Sequence, residues 1–412
     1  MAIAEKDKKI LRDLAKKVAE IANSPEQDKR RELWTRHNDL DPVKPMILCF
    51  PEGSWRELLP PDTLQTSDDF ARGCEWDLRH RIYYWEHLRG DHVIEATVVA
   101  PTFVRDTGWG FQVNAVRPSE PYGAAHYEPV FKDESDIDKI RMPTITVDRE
   151  GTESYYQRLC EVFDGILPIE RRGCTGFGFA IFDQFMQWRG LDQAFFDMTD
   201  RPKWLHAVLE RMTQWHLCRL DQLEQQNLLS LNNGNHYTGS GGTGFTKQLP
   251  KPGFDGKHVR LIDLWAHATT QMFADVSPAM HEEFALQYER RFLARFGLAC
   301  YGCCEPLDKK LDLVKTIPNL RRVSMSPWVN VERGAAGLGN KYIFSYKPNP
   351  AIVAGESWQP DVVRKGLRDV CQKTRGCVLE IILKDTHTCR NEPERMWEWT
   401  KIATEVAAEF AS

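Results

Sequence analysis

Two cysteines of this chain lie where reactive sulfur could do chemistry. Cys303 comes directly after the apolar run LACYG (298–302), and Cys389 comes shortly after the run CVLEIILKD (377–385). Thiolates are soft, strong ligands for zinc, and a bound metal lowers the pKa of a thiol enough to keep it deprotonated. We therefore interpret the two thiols as candidate metal ligands. The alternatives are a redox pair, since Cys300-x-x-Cys303 forms a CxxC, and the simple packing of buried cysteines.

The polar segment LNNGNHYTGSGG (231–242) follows another strand-like run and forms a second candidate site. Amide, imidazole and phenol groups of this kind can hold a substrate or relay a proton. The candidates for substrate binding are Asn232, Asn233 and Tyr237, and His236 is a candidate catalytic residue. The alternative is an Asn-Gly turn, chosen for its left-handed backbone geometry.

The match of Gly239-x-Gly241-x-x-Gly244 to a dinucleotide-binding fingerprint is rejected. A helix has to begin directly after such a motif, because the helix N-terminus is what binds phosphate. Pro250 and Pro252 follow within a few residues and prevent that helix. The glycines are therefore interpreted as part of a loop over the site.

Short apolar strands alternate with helices along the chain, which is typical of a parallel sheet covered by helices on its outer face. About eight such units predict the α/β class and favour one closed (β/α)8 TIM barrel over an open sheet. Both candidate cysteines would then face the carboxyl end of the barrel, where barrel enzymes carry their active sites. The predicted strands include 41–50, 91–104, 228–233, 298–302, 321–326, 341–346 and 377–385, with helices at 305–316, 358–375 and 391–410.

The same pattern divides the chain into an N-terminal helical extension, residues 1–40, and a barrel, residues 41–412.

The net charge of -5 gives no electrostatic case for nucleic acid or an anionic membrane as partner. The first residues are charged throughout and carry apolar residues at helical spacing, which predicts an amphipathic helix and not a signal peptide. Eleven cysteines, an odd number, then indicate reduced thiols in a cytoplasmic protein.

Four segments carry a resemblance to a known family. They are residues 127–143, 185–212 and 277–297 and the cysteine loop after residue 300, in this order. Together they resemble the uroporphyrinogen decarboxylase-like superfamily, whose members form (β/α)8 barrels. The superfamily contains the decarboxylase itself and zinc-dependent methyltransferases that exchange methyl groups with corrinoid proteins.

The loop after the first predicted strand distinguishes these branches. The decarboxylase carries an arginine-rich loop there, which holds the carboxylates of its substrate. The matching stretch of this chain, residues 49–60, has one arginine and two acids, and acids would repel a polycarboxylate. The resemblance therefore favours the methyltransferase branch.

The zinc motif of that branch is His-x-Cys with a distant cysteine, and the matching positions are Tyr301, Cys303 and Cys389. The resemblance implies that both cysteines are zinc ligands, while tyrosine replaces the histidine. A catalytic zinc needs three protein ligands, so another residue has to complete the set. Glu305, His387 and Cys304 are the candidates, of which we favour Glu305; His387 is then a catalytic, substrate-facing acid.

The resemblance implies a zinc-dependent methyltransferase that moves a methyl group between a methoxyaromatic, methylamine or methylthiol and a corrinoid. The cobalamin-binding signature Asp-x-His-x-x-Gly is absent from the chain, so the corrinoid would arrive on a separate protein. The alternatives are a metal-independent decarboxylase or lyase that uses Arg56, Arg105 or Lys347, and a non-catalytic corrinoid-binding homologue. A second copy of the chain, in a homodimer, is a further candidate partner.

Overall fold

The structure is a computed structural model that describes residues 3–117 and 125–411. Its strands are β1 (Met46–Cys49), β2 (Val98–Pro101), β3 (Val104–Asp106), β4 (Ala115–Val116), β5 (His126–Tyr127), β6 (Ile145–Val147), β7 (Ile169–Arg172), β8 (Gly178–Phe179), β9 (Tyr237–Thr238), β10 (Gly242–Thr243), β11 (Trp265–Ala268), β12 (Leu298–Tyr301), β13 (Leu320–Met325), β14 (Ile343–Tyr346) and β15 (Val378–Leu383). Its helices are α1 (Glu5–Ala22), α2 (Pro25–Asn38), α3 (Trp55–Leu58), α4 (Asp69–Glu86), α5 (Arg149–Phe163), α6 (Ile181–Arg189), α7 (Leu191–Asp200), α8 (Pro202–Gln225), α9 (Pro278–His281), α10 (Gln287–Leu293), α11 (Leu311–Val314), α12 (Val331–Leu338), α13 (Ala351–Ala354), α14 (Pro360–Lys373) and α15 (Glu394–Glu409).

Seven strands form one parallel sheet in the order β1-β15-β14-β13-β12-β11-β8. Several of them, including β1, β12 and β15, are buried along their whole length, as expected for a sheet with both faces covered. Side chains from distant strands meet inside it: Arg322 of β13 and Glu380 of β15 form an ion pair of 2.9 Å, although β14 lies between them. The sheet therefore curves around its own interior, which gives a barrel-like α/β fold.

A second parallel pair, β2 with β7, forms a separate two-stranded sheet. Only residues 173–177 separate β7 from β8 along the chain, and Cys174 in this segment pairs with Leu229. Within the described residues, no strand pairs with the outer edge of β1. We call this open side, between β1 and the segment that leads to β2, the seam.

Side chains of the segment before β2 cover that edge of β1. Ile47 N donates to Asp91 Oδ2 over 2.8 Å, and Asp91 N donates to the carbonyl oxygen of Ile47 over 2.8 Å. His92 Nε2 lies 3.1 Å from Cys49 N and 2.9 Å from the carbonyl oxygen of Cys49. These contacts satisfy backbone groups that a neighbouring strand would otherwise pair.

The helices begin where the sequence provides caps. Ser277 accepts a hydrogen bond from Met280 N and Pro278 occupies the first turn of α9, an arrangement that satisfies a free helical N–H and fixes φ. At the N-terminus, α1 packs Leu11 and Val18 into an apolar cluster with α4 and α5. The two N-terminal helices and the α/β class are thus confirmed.

Two predicted elements differ from the structure, and one strand was not predicted. Residues 228–233 do not form a regular strand and contribute a single bridge at Leu229. The predicted helix 305–316 is reduced to α11, because Glu305 turns inward and is fixed by the loop before it. Strand β11 was not predicted, since His267 interrupts its short apolar run.

Among the described helices, none has the length and apolar character needed to cross a lipid bilayer. All eleven cysteines lie in the described ranges, and all are unpaired. This agrees with the expectation of free thiols, which stays a prediction for the protein in the cell.

Candidate active site

The loop after β12 holds Cys303 in a fixed backbone position. Gly302 has a φ of 87°, which glycine adopts without strain, and the chain turns there. Cys303 N then donates to Glu305 Oε2 over 2.9 Å, and Ser324 Oγ donates to the carbonyl oxygen of Cys303 over 2.9 Å. The backbone of Cys303 is thus held from within its own loop and from the neighbouring strand β13.

Three polar groups surround the Cys303 sulfur. Ser240 Oγ donates to Cys303 Sγ over 3.3 Å, and Cys304 Sγ lies 3.6 Å from it. Lys384 follows β15 directly and its Nζ lies 3.4 Å from Ser240 Oγ and 3.2 Å from Asp385 Oδ1. Strands three apart in a flat sheet are separated by ~14 Å, so curvature and the Ser240 loop bring the groups after β12 and β15 together.

This setting favours a thiolate at Cys303. The hydrogen bond with Cys304 lowers the pKa of Cys303 most, and the Ser240 hydroxyl and the Lys384 ammonium lower it further against the opposing effect of burial, to about 6. The pKa of Cys304 is raised by the same hydrogen bond, so that its thiol stays protonated. At neutral pH the pair therefore presents one anionic sulfur and one neutral thiol.

Ser240 reaches the sulfur because its loop dips toward the sheet. Gly239 has a φ of 63°, and a Cβ at this position would lie 2.7 Å from Cys300 Cβ. Only glycine fits so close an approach. The same loop carries Tyr237, which is 55% exposed and whose hydroxyl interacts with Lys384. The loop thus supplies one side of the Cys303 environment.

Glu305 is fully buried below the thiol. Thr269 Oγ1 donates to Glu305 Oε1 over 2.8 Å, and Cys303 N occupies the other oxygen. Burial raises the pKa of Glu305 to about 7. The carboxyl group is therefore able to hold a proton near neutral pH beside the Cys303 loop.

Tyr301, at the position of the family histidine, faces away from this site. Its hydroxyl lies 2.7 Å from Glu289 Oε2 on α10 and 2.6 Å from His281 Nε2. Neighbouring residues of a strand point to opposite faces of the sheet, and Cys300 faces Arg322 on the inner side. Tyr301 is thus part of the packing between β12 and the helix layer.

Cys389 has a different environment from Cys303. Its side chain is fully buried, and Sγ donates to Glu57 Oε2 over 3.1 Å while Cys389 N donates to the same oxygen over 2.8 Å. Burial, followed by the Glu57 carboxylate, raises the pKa of Cys389 to about 12. Cys389 is therefore a neutral thiol that ties its loop to α3.

The three predicted zinc ligands do not fit a zinc site in this arrangement. Cys303 and Glu305 share one loop, whereas the thiol of Cys389 is directed to Glu57. In residues 3–117 and 125–411, no group of three or more His, Cys, Asp or Glu side chains is placed to hold a metal ion. A catalytic zinc needs three such ligands, and the predicted residues do not provide them in this arrangement.

The two predicted asparagines are bound to backbone. Asn232 Nδ2 donates to the carbonyl oxygens of Thr175 and Trp265 over 2.8 and 3.0 Å, and Asn232 Oδ1 accepts from Trp265 N over 2.9 Å. Asn233 Nδ2 donates to the carbonyl oxygen of Leu249 over 2.7 Å. These bonds tie the loop to the start of β11, and they do not support the prediction that the asparagines contact substrate.

The two predicted catalytic histidines are in different places. His236 lines a cavity beside β1 with Tyr237, and both of its ring nitrogens are without a hydrogen-bond partner among the described residues. His387 is exposed on the loop after β15, where its backbone packs against Gly53. Its catalytic role stays a prediction.

Sequence reasoning missed Ser240 and Lys384. Lys384 was visible near the end of the run CVLEIILKD, at the strand end where barrel enzymes carry catalytic groups. Nothing in the sequence around Ser240 indicated that it contacts Cys303, because its position depends on the path of a glycine-rich loop. Of the predicted residues, the structure places Cys303, Glu305 and Tyr237 around this one cluster.

Comparisons with known proteins give little further information. No protein-family model and no curated protein matches the sequence. One similar solved structure is a methyltransferase from Methanosarcina mazei, with 11% sequence identity and a TM-score of 0.44 over 92% of this chain and 98% of that chain. At this TM-score the likeness supports no conclusion about what this chain does.

Proposed function

We propose that this protein is a methyltransferase that moves a methyl group between a small methylated substrate and a corrinoid carried by a separate protein. The observation that carries the proposal is the position of Cys303: a sulfur at the carboxyl end of the sheet, hydrogen-bonded to Ser240 and next to the Lys384 ammonium. The sequence resemblance also points to methyl transfer at this loop, although it implies Cys303 as a zinc ligand and not as the attacking group.

Cys303 has the chemistry that methyl transfer needs. A thiolate is a soft nucleophile that can attack a methyl carbon in line with the leaving heteroatom. The sulfur–carbon bond then forms while the carbon–heteroatom bond breaks, and the electron pair stays on the heteroatom. We assign this reacting role to Cys303.

The departing heteroatom takes up a proton, and two donors are close. Burial opposes the charge on Lys384, but Tyr237 and Cys303 raise its pKa above the usual value, so the side chain is an ammonium at neutral pH. Burial raises the pKa of Tyr237, which therefore keeps its phenolic proton. Both groups are suited to protonate an alkoxide, thiolate or amine.

A reduced corrinoid on a docked carrier protein would supply the nucleophilic metal that takes the methyl group from Cys303. The sulfur–carbon bond would then break with its electron pair returning to Cys303 as a thiolate, and the reverse transfer would use the same bonds in the opposite order. The predicted zinc set has no place in this proposal, because its ligands are not assembled. The substrate is a methoxyaromatic, methylamine or methylthiol.

The test is spectroscopic. Purified protein is mixed with a reduced corrinoid protein and single donors from a panel of methoxyaromatics, methylamines and methylthiols, and methylcob(III)alamin is followed by its absorbance. The proposal expects formation with at least one donor, and loss of that signal in Cys303→Ser. Mass spectrometry of the protein without corrinoid tests for a methyl group on Cys303.

A metal-independent decarboxylase is a second candidate, because of Lys347. Its ammonium is 4% exposed and donates to Ser345 Oγ over 2.5 Å and to the carbonyl oxygen of Ser345 over 3.2 Å. Burial lowers the pKa of Lys347 to about 8. Its direct hydrogen-bond partners are neutral, although Ser345 Oγ also donates to the buried carboxylate of Glu380. A substrate carboxylate would therefore compete with Glu380 for this cation.

The other two cations named from the sequence do not support this alternative. Arg105 pairs with Asp148 between the strands β3 and β6, and Arg56 is exposed and donates to the carbonyl oxygen of Gly53. Carbon dioxide release from a carboxylated substrate, with no methylcob(III)alamin from any donor, would favour the decarboxylase over the methyltransferase.

A further inference from the structure

A cavity of about 310 Å³ lies at the seam between β1 and β2. We call it the seam cavity. Its wall includes Leu48 and Phe50 at the end of β1, and Val93 and Ile94 on the segment that leads to β2. Its volume is within the range of small-molecule sites, which begins at roughly 300 Å³. The cavity exists where side chains, and not a strand, cover the edge of the sheet.

Flat rings form much of the wall. The centroids of Tyr84 and His92 are 4.1 Å apart, those of Phe50 and His92 are 5.2 Å apart, and those of Phe50 and Tyr237 are 5.5 Å apart. Rings at such distances leave flat and edge surfaces that suit another planar ring. The wall therefore offers aromatic surface against which another aromatic ring can pack.

The charges of the wall cancel. Asp77 and Arg81 both line the cavity, and they form an ion pair of 2.7 Å. Arg81 Nη1 also donates to the carbonyl oxygens of Glu95 and Thr97, over 2.9 Å in each case. The guanidinium is therefore already engaged, and the wall offers no uncompensated charge to a carboxylate or an ammonium ion.

The histidines of the wall are neutral and two of them are incompletely bonded. Burial lowers the pKa of His80 and of His236 to about 4. His80 Nε2 and both ring nitrogens of His236 are buried without a hydrogen-bond partner among the described residues. Buried polar atoms of this kind normally have a partner. Neighbouring side chains enclose these three nitrogens, so that a ligand in the cavity reaches them when an imidazole ring rotates.

We propose that the seam cavity binds a neutral planar ring that carries hydrogen-bonding groups, such as a phenol or a nitrogen heterocycle, with His80 and His236 as its polar partners. Tyr237 links this cavity to Lys384 and so to the surroundings of Cys303. The identification of the ring as the methylated substrate rests on the function proposed above, whereas its binding does not.

Binding is measured directly by titration calorimetry or saturation-transfer NMR, without corrinoid and without turnover. The probes are phenol and indole, which are neutral, against benzoate and tetramethylammonium, which are charged. We expect saturable binding of at least one neutral probe in the millimolar range, and binding of both charged probes at least tenfold weaker.

The key variants replace imidazole by a ring of similar size. His80 lies between Trp55 and Trp76 with ring centroids 3.9 and 4.1 Å away, so that His80→Phe keeps the packing and removes the nitrogens. His80→Phe and His236→Phe should each weaken binding by roughly tenfold, the effect of one lost hydrogen bond to a buried group. The matched control is His87→Phe, whose ring stacks on Trp397 outside the cavity; it should change the affinity less than twofold.

Three results would overturn the proposal: no saturable binding of either neutral probe, equal binding of benzoate or tetramethylammonium, or unchanged affinity in both histidine variants. Thermal unfolding identifies a variant that has lost its fold, and Tyr84→Leu then serves as a second test, with loss of binding expected from removal of the flat wall. Methyl transfer is not needed for any of these results. Binding without methyl transfer would count against the proposed function alone, and methyl transfer without binding would count against the seam cavity alone.

Discussion

The loops after β12 and β15 each present a cysteine at the same end of the sheet, yet the two thiols differ chemically. Cys303 is partly exposed, accepts a hydrogen bond from Ser240 and has a pKa lowered to about 6. Cys389 is fully buried, donates to Glu57 and has a pKa raised to about 12. Other segments of the chain make the difference: Ser240 and Lys384 place a hydroxyl and an ammonium near the Cys303 sulfur, whereas Glu57 of α3 places a carboxylate beside Cys389.

This difference shows that a cysteine at a strand end is not by itself a reactive group. The pKa of a thiol rises with burial and with a neighbouring anion, and falls with neighbouring cations and donors. The Lys384 ammonium and the Glu57 carboxylate therefore act in opposite directions on two residues of the same type. The predictions below test this contrast in order of decreasing effect.

The largest effect should come from removing one thiol or the other. Cys303→Ser should lower the rate of methylcob(III)alamin formation on the order of a thousandfold or more, as for loss of a reacting nucleophile. Cys389→Ser should keep the rate within a few-fold, because its thiol is bonded to Glu57. Initial rates with the same donor and corrinoid protein provide the comparison. Equal losses in the two variants would contradict it.

The second effect is a difference in alkylation rate in the folded protein. At pH 7 Cys303 should react with iodoacetamide on the order of a hundredfold faster than Cys389, since the thiolate reacts and Cys389 is both buried and protonated. Peptide mass mapping after short labelling locates the adduct. Cys389 should label only after denaturation, and fast labelling of Cys389 in the native protein would refute the contrast.

The third effect isolates the cation. Lys384→Met should raise the pH at which Cys303 is half-labelled by about one unit, because a neighbouring positive charge is removed. In the unmodified protein, labelling of Cys303 should increase as the pH rises through about 6. The matched control is Lys373→Met on α14, where Lys373 pairs with Asp369. An equal shift in both variants would mean that Lys384 has no specific effect.

The smallest effect concerns Glu57, which accepts hydrogen bonds from Cys389 N and Asn391 N. Glu57→Gln should lower the free energy of unfolding by about 1–2 kcal/mol, measured by urea denaturation at pH 7. Burial opposes the charge of Glu57, but hydrogen bonds from Thr388 and Asn391 lower its pKa overall. Its contribution is therefore present above the unfolded pKa of about 4.3 and lost as the pH falls through the lower folded value.

The free energy of unfolding of Glu57→Gln should therefore fall less steeply than that of the unmodified protein as the pH is lowered. Glu20→Gln, at an exposed position of α1, is the control and should leave the pH dependence unchanged. A Glu57→Gln protein with the stability and pH profile of the unmodified protein would show that the Cys389 loop is held by other contacts.

Strands buried on both faces were the part of the fold that the sequence could predict. The runs 298–302 and 377–385 are largely apolar, and they correspond to β12 and β15. The run 321–326, which corresponds to β13, carries two arginines and two serines and was predicted from its place in the alternation of strands and helices. Strand β11 was missed because His267, which lies 3.0 Å from the carbonyl oxygen of Gly302, introduces a polar residue into a short run. A tertiary contact of this kind stabilises a polar residue inside a strand, where the pattern of apolar residues along the sequence does not predict one.

The candidate site was predicted in part for a similar reason. Residue type and strand-end position identified Cys303 and Glu305, whose contacts lie within one loop. The partners Ser240 and Lys384 come from segments far apart in the chain, and they meet only because the sheet curves and Gly239 lets its loop approach Cys300. No spacing rule encodes such a meeting. The pairing of Cys389 with Glu57 was likewise not visible in the sequence.

The seam between β1 and β2 has a consequence for how this fold can evolve. Elsewhere in the sheet, moving two neighbouring strands apart would break the ladder of backbone hydrogen bonds that joins them. At the seam the edge of β1 is covered by the side chains of Asp91 and His92, which single substitutions can replace. A lineage could therefore enlarge, narrow or reshape this side of the ring by point mutation while the rest of the sheet keeps its register. The seam is therefore the side of the fold whose shape point mutations can change with the least disturbance of the sheet.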